Sequence, residues 1–167
     1  IDLAKNKSDM LASIPGIQPV EKDKSRMASG FGYRIHPIYK IRKLHAGMDF
    51  SAKTGTPIYS TGNGVVKKTK RSRRGYGNYI EIDHGYGYVT LYAHMQKFIV
   101  KRGQKVKRGE VIGYVGNTGT SVAPHLHYEV HKDGRKINPV NFYYNDLNPE
   151  EYEKMLEISS RSNQSFD

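Results

Sequence analysis

A chain of 167 residues with 37% hydrophobic content is long enough for one domain with a sizeable core and short extensions. No apolar run is long enough to span a bilayer, and the absence of cysteine excludes disulfides and thiolate chemistry without fixing the compartment. A formal charge of +11, from 27 Lys and Arg against 16 Asp and Glu, points to an anionic partner: nucleic acid, membrane or wall polymer.

The chain opens IDLAKNKSDM, with neither an initiator methionine nor a signal-peptide pattern, and reads as a processed form or an excised fragment. Residues 1–14 are expected to form a short helix with Met10, Leu11 and Ile14 as apolar contacts, stopped by Pro15 and Pro19. Short β-rich runs follow, separated by Gly, Asn and Asp turn signals. Thirteen tyrosines and seventeen glycines suit a sheet with tight turns better than a helical bundle. Hairpins are expected at Gly62-Asn63-Gly64, His84-Gly85 and Lys132-Asp133-Gly134. Between two strands, the run KKTKRSRRG, residues 67–75, gathers six basic side chains. It reads either as a solvated loop or as a landing surface for an acidic polymer; without interleaved aromatics it is a poor nucleic-acid platform. In VKRGQKVKRGEVIG a turn precedes a strand, with Val106, Val111 and Ile112 packing inward and the lysines and arginines facing solvent. Near the end, Asn148 as N-cap, Pro149 as first helical residue and Glu151 as capping-box partner start a helix. Tyr152, Met155, Leu156 and Ser159 share the face that would pack on the sheet. The reading is therefore mainly β, one antiparallel β-sheet domain over 28–142, with an N-terminal extension (1–27) and a C-terminal helical extension (143–167).

Five of the seven histidines stand where they can do chemistry. In PHLHYEV, period-two alternation sets His125, His127 and Glu129 on one face and Leu126, Tyr128 and Val130 on the other, which looks like a core face. In LHAGMDF, His45 and Asp49 are four apart. Fully extended, they would sit about 13 Å apart; a bend at Gly47 lets both meet one metal ion. His127 then supplies a third ligand from a neighbouring strand. Two imidazoles and a carboxylate form a catalytic zinc set with one position left for water, whereas thiolates would indicate a closed structural site and an all-oxygen set calcium or magnesium. One zinc per chain is expected. His125, awkwardly placed to ligate the same ion, and His94, in TLYAHM, are suited to serve as general base and as oxyanion or leaving-group donor. His94 is expected on one strand face with Thr90 and Tyr92. His36, in RIHPI, would either line the site or orient a loop before Pro37. His84 reads as a turn residue, and His131 is expected to point away from His125 and His127 and has no role.

These segments, in order, carry a resemblance: GFGYRIHPI, LHAGMDFSAKTGTPIYSTGNGVV, GNYIEIDHGYGYVTLYAHM, VKRGEVIGYVGNTG and PHLHYEV. From Ala28 to about Phe142 the chain resembles the lysostaphin-like zinc metallopeptidases, the M23 or LytM-type domains, and among them the murein endopeptidases of Gram-negative bacteria. The resemblance implies a LytM/lysostaphin-like (duplicated hybrid motif-like) fold. It makes His45, Asp49 and His127 the zinc ligands, and His94 and His125 the catalytic histidines that do not ligate. It places Tyr92 along the substrate groove. Val122 and Ala123 depart from the glycine common nearby among relatives, which bears on groove width and removes no catalytic group. The implied activity is hydrolysis of peptidoglycan stem-peptide crosslinks, at the D-alanyl to diaminopimelate bond, in the periplasm or from a membrane anchor facing it. An upstream anchor or coiled coil and a protein regulator remain open. Nothing in the chain resembles a nucleic-acid module. Two other accounts stand beside this one: a non-catalytic or groove-blocked wall-binding or activator module, and a zinc carboxypeptidase or amidase acting on wall peptides.

Overall fold

The computed structural model describes residues 9–35, 42–140, 142, 150 and 153. Strands dominate, as expected: β1 (Ser25–Ser29), β2 (Gly32–Ile35), β3 (Arg42–His45), β4 (Met48–Ala52), β5 (Pro57–Tyr59), β6 (Gly64–Lys70), β7 (Asn78–Gly85), β8 (Tyr88–Phe98), β9 (Lys105–Val106), β10 (Val111–Val115), β11 (His125–Lys132) and β12 (Arg135–Ile137). One antiparallel sheet runs in the order β1-β4-β11-β8-β7-β6-β9. Strand β12 pairs with β11, β10 pairs with β8 and β5, and β2 and β3 form a separate ribbon.

The alternation in β11 decides the architecture. Leu126, Tyr128 and Val130 are fully buried and join Met48, Phe50, Ile80, Ile82, Tyr92, Met95 and Ile112 in a single apolar cluster. Each such side chain contributes about 1.5–3 kcal/mol of burial free energy. On the opposite face the same strand carries its histidines. A one-residue slip would exchange the two sets, so this amphipathic pattern fixes the register.

Two of the three expected hairpins form, the one between β7 and β8 two residues later than the His84-Gly85 expected for it. Tyr86 and Gly87 turn β7 into β8 and Asp133-Gly134 turns β11 into β12, all with positive φ. The third does not. Instead of pairing with β6, β5 pairs with β10, and Gly64 at the start of β6 lies opposite Val106 of β9. Residues 61–63 serve as a seat for the N-terminal segment: Gly16 N–H donates to Thr61 O at 3.1 Å and Asn63 N–H to Ala12 O at 2.9 Å. That segment has a helical turn over 9–13; of its expected apolar contacts Met10 and Leu11 are exposed and Ile14 is half-buried. Arg108 holds it. Its Nη2 donates to Leu11 O at 2.6 Å and Ile14 O at 2.5 Å, and its Nε to Thr61 O at 3.3 Å. A partly buried guanidinium capping a helical turn corrects the expectation that every basic residue of that run faces solvent; Val106 and Ile112 do pack inward. The expected C-terminal helix lies outside the described residues, apart from helical positions 150 and 153. No helix among the described residues is long and apolar enough to cross a membrane.

Candidate active site

The site lies where β3, β4, β11 and β8 meet. Strand β3 ends at His45 and β4 begins at Met48, so the chain bends at the intervening Gly47, as the His45–Asp49 spacing requires. A Cβ at position 47 would stand 2.2 Å from Tyr128 O, and only glycine lets this bend cross β11 so closely. Asp49 is the cross-strand partner of His127, which puts both side chains on one face at short range. His127 Nδ1 lies 2.9 Å and His45 Nε2 3.3 Å from Asp49 Oδ1. One ligand atom from each of the three residues falls within 4.8 Å of the other two, and all three are buried.

Hydrogen bonds set the tautomers needed for ligation. A carbonyl only accepts, so the 2.7 Å contact of His45 Nδ1 with Gly30 O makes Nδ1 the protonated nitrogen and turns the Nε2 lone pair inward. On His127 the order is reversed. Nε2 donates to Glu129 Oε2 at 2.7 Å, leaving Nδ1 to face the triad. A neutral-imidazole, neutral-imidazole, carboxylate set in a chain without thiolates fits zinc with an open position.

Two more imidazoles sit beside the triad. His125 Nδ1 donates to Ala123 O at 2.8 Å, and its Nε2 stands 3.8 Å from Asp49 Oδ1. His94 Nδ1 donates to Thr118 O at 2.7 Å. The two rings lie 4.8 Å apart, centroid to centroid, and His94 is 6.1 Å from the ring of His127. In both, the carbonyl contact puts the ring proton on Nδ1.

His94 reaches this face through a distortion. It has φ of +60°, and β8 carries an extra residue against β7 between the pairs Asn78–Met95 and Ile80–Tyr92. A β-bulge of this kind re-aims one side chain at the cost of local strain. It also corrects the placement of Tyr92. With the alternation broken, Tyr92 and His94 are on opposite faces: Tyr92 is fully buried in the core against Tyr128 and lines no groove. Its hydroxyl lies 3.0 Å from Thr61 Oγ1 and 2.9 Å from Thr90 Oγ1. His84, expected in a turn, joins this network instead, buried within β7 with Nε2 2.7 Å from Thr90 Oγ1 and Nδ1 donating to Asn63 O at 2.9 Å. His36 lies outside the described residues.

Sequence reasoning left Glu129 without a role, although its place in the alternation pointed at it. Fully buried, Glu129 accepts from His127 Nε2 and His131 Nε2, each at 2.7 Å, and from Tyr76 Oη at 2.6 Å. Burial alone would raise its pKa; the hydrogen bonds from His127 and His131 outweigh that and hold the carboxylate ionised well below its usual range. His131 thus belongs to the site face, as strict alternation from His127 requires and contrary to the expectation that it points away. Tyr76 also stacks on His127, with ring centroids 5.8 Å apart. It rides a loop locked against residues 116–120, where Thr120 N–H donates to Gly75 O at 2.8 Å and Asn78 N–H to Thr118 Oγ1 at 3.0 Å. At Gly77 a Cβ would lie 2.5 Å from Thr118. The sequence signals this loop only through its Gly-Tyr-Gly spacing, and nothing in it announces the backbone carbonyls that orient His45, His94 and His125.

With this geometry in hand, residues 43–139, more than half of the chain, match the family model described as Peptidase family M23. The chain belongs to peptidase family M23. It is 48% identical over 121 residues to Peptidoglycan DD-endopeptidase ShyA of Vibrio cholerae, covering 72% of this chain and 28% of that protein. It is 47% identical over 117 residues to DD-carboxypeptidase/endopeptidase Mpg of Neisseria meningitidis serogroup B, covering 70% and 27%. Among solved structures it is similar to a zinc-containing peptidase from Vibrio cholerae, with a TM-score of 0.70, 41% identity and coverage of 72% of this chain and 37% of that one. The chain thus spans about a quarter of the length of these curated relatives. The buried triad of this chain offers the donor set for one metal ion, with the paired imidazoles of His94 and His125 beside it.

Proposed function

We propose that the chain is a zinc-dependent endopeptidase that hydrolyses peptide crosslinks of peptidoglycan, at the D-alanyl to diaminopimelate bond, in the cell envelope. The observation that carries this reading is the buried convergence of His45, Asp49 and His127 beside two imidazoles whose Nδ1 atoms are tied to carbonyls. The names of the relatives supply the wall peptide as substrate class, and the basic surface suits an anionic wall.

Bound zinc would supply Lewis acidity toward the scissile carbonyl and lower the pKa of water at the site toward ~7. His125 Nε2, directed at the triad, accepts the proton of the attacking water. His94 presents Nε2 from the bulge, and because its Nδ1 proton is committed to Thr118 O it donates to an oxyanion only as imidazolium. Either imidazole, once protonated at Nε2, can return that proton to the departing amine. Glu129 keeps His127 in the Nδ1-ligating tautomer, and Tyr76 stacks over the ring. No covalent intermediate is called for.

One relative's name, DD-carboxypeptidase/endopeptidase, favours terminal D-alanine trimming as a second activity of the same site. Digestion of purified crosslinked peptidoglycan, read by liquid chromatography and mass spectrometry, tests both. Loss of crosslinked dimers with gain of tetrapeptide monomers establishes the endopeptidase; shortened pentapeptides with intact dimers establish the carboxypeptidase. Chelation should abolish the reaction, and His125→Ala should lower its rate about 10²–10⁴-fold while zinc content stays at one per chain. Intact wall with zinc bound would leave a wall-binding or activator module.

A further inference from the structure

Beside the site, on the outer side of Thr118, lies a cleft of about 570 Å³ lined by Arg71, Ser72, Arg73, Asn78, Thr118 and Gly119. Its lining holds two guanidinium groups, two hydroxyls and a carboxamide, and no acidic side chain. A solvated turn tip needs no internal order. This one has it. The Arg71 guanidinium stands 4.8 Å over the ring of Phe98. Ser72 Oγ accepts from Arg74 N–H at 3.1 Å and Asn78 Oδ1 accepts from Ser72 N–H at 3.3 Å. Asn78 Nδ2 donates to Gln96 O at 3.1 Å. The loop is therefore held in shape before any ligand arrives, which lowers the ordering cost of binding.

Thr118 joins the cleft to the chemistry. Its carbonyl orients His94, its hydroxyl donates to Met95 O at 2.8 Å, and its outer side forms the cleft wall. A group bound between the arginines is thus one residue away from a reacting imidazole. Guanidinium forks match carboxylates in charge and planarity.

We infer that this cleft is a carboxylate subsite, holding a free carboxylate of the wall peptide while the scissile amide lies at the triad. The inference rests on the proposed wall-peptide substrate and adds to it a requirement about substrate charge.

Two crosslinked muropeptides that differ only in whether their free carboxylates are amidated test it with the full zinc-loaded chain. The wild type should favour the free acid in kcat/KM by about tenfold or more, the scale of one lost charge-assisted hydrogen bond. The Arg71→Gln/Arg73→Gln variant should bring that ratio close to one. A Lys101→Gln/Arg102→Gln control, on the exposed turn before β9, should keep it, separating a local subsite from general attraction. Equal cleavage of both substrates by the wild type, or an unchanged ratio in the arginine variant, would overturn the inference and leave the endopeptidase intact. If neither substrate is cleaved, the endopeptidase reading fails and binding decides the cleft. A free-acid wall tetrapeptide that shifts the backbone amide signals of Ser72 and Asn78 in the wild type only supports it; equal shifts with the amidated tetrapeptide overturn it.

Discussion

Strands β8 and β11 build two buried polar clusters back to back. On the core side, Thr61, His84, Thr90, Tyr92 and Tyr128 form a hydroxyl-imidazole chain whose members satisfy one another, with Thr61 Oγ1 2.8 Å from Tyr128 Oη. On the other side, Asp49, Glu129 and five imidazoles form a cluster with two carboxylates at its centre. The first contains no formal charge in its ordinary protonation states and only holds parts together. The second concentrates negative charge where neutral imidazole lone pairs converge, and that arrangement calls for a cation. Burial and polarity alone do not distinguish a structural network from a functional one; the balance of charge does.

The sharpest break between the two sides should come from Asp49→Ala. It removes the ligand that both His45 and His127 face, and zinc content and peptidase activity should fall to background while the fold survives, as read by metal analysis beside thermal unfolding. A smaller loss should follow Glu129→Gln, which keeps the shape but replaces the anion that orients His127. Zinc affinity should weaken about 10–100-fold, and excess zinc should restore activity. Removing a hydroxyl on the core side should do the opposite. Tyr92→Phe leaves Thr61 and Thr90 short of a partner and should cost about 1–2 kcal/mol in denaturant unfolding with zinc stoichiometry unchanged. The smallest effect concerns pH. Burial, the largest influence on His84, lowers its pKa, so the unfolded chain takes up a proton near pH ~6.5 before the folded one does. Stability should be fully present above that pH and decline as pH falls from there toward the folded pKa. His84→Gln should flatten this slope in pH-dependent unfolding.

How much of this could be read beforehand differs between the strands. In β11 the alternation was undisturbed, so the core face and the positions of His125 and His127 followed from sequence. The bend at Gly47 was legible on other grounds: two ligand types four apart can meet on a helix or across a bend, and the glycine between them in a strand-rich run favours the bend. Strand β8 looked equally regular from Thr90 to Met95, and there the reading failed for Tyr92 because the bulge at His94 leaves no mark in a run of ordinary strand formers. His94 is a histidine with positive φ, a conformation that the chain's own preferences would not select and that Tyr76 O, Thr118 O and the β7 pairing impose. Arg108 escaped notice because its partners are carbonyls of a distant segment, invisible to local pattern.

The burial of Tyr92 has a use at the bench. This protein has no tryptophan and thirteen tyrosines, so phenols dominate its near-ultraviolet absorbance. Burial raises the Tyr92 pKa. In an alkaline titration Tyr92 ionises late, and that late part of the absorbance change reports the integrity of the sheet from within, without a label and without a substrate.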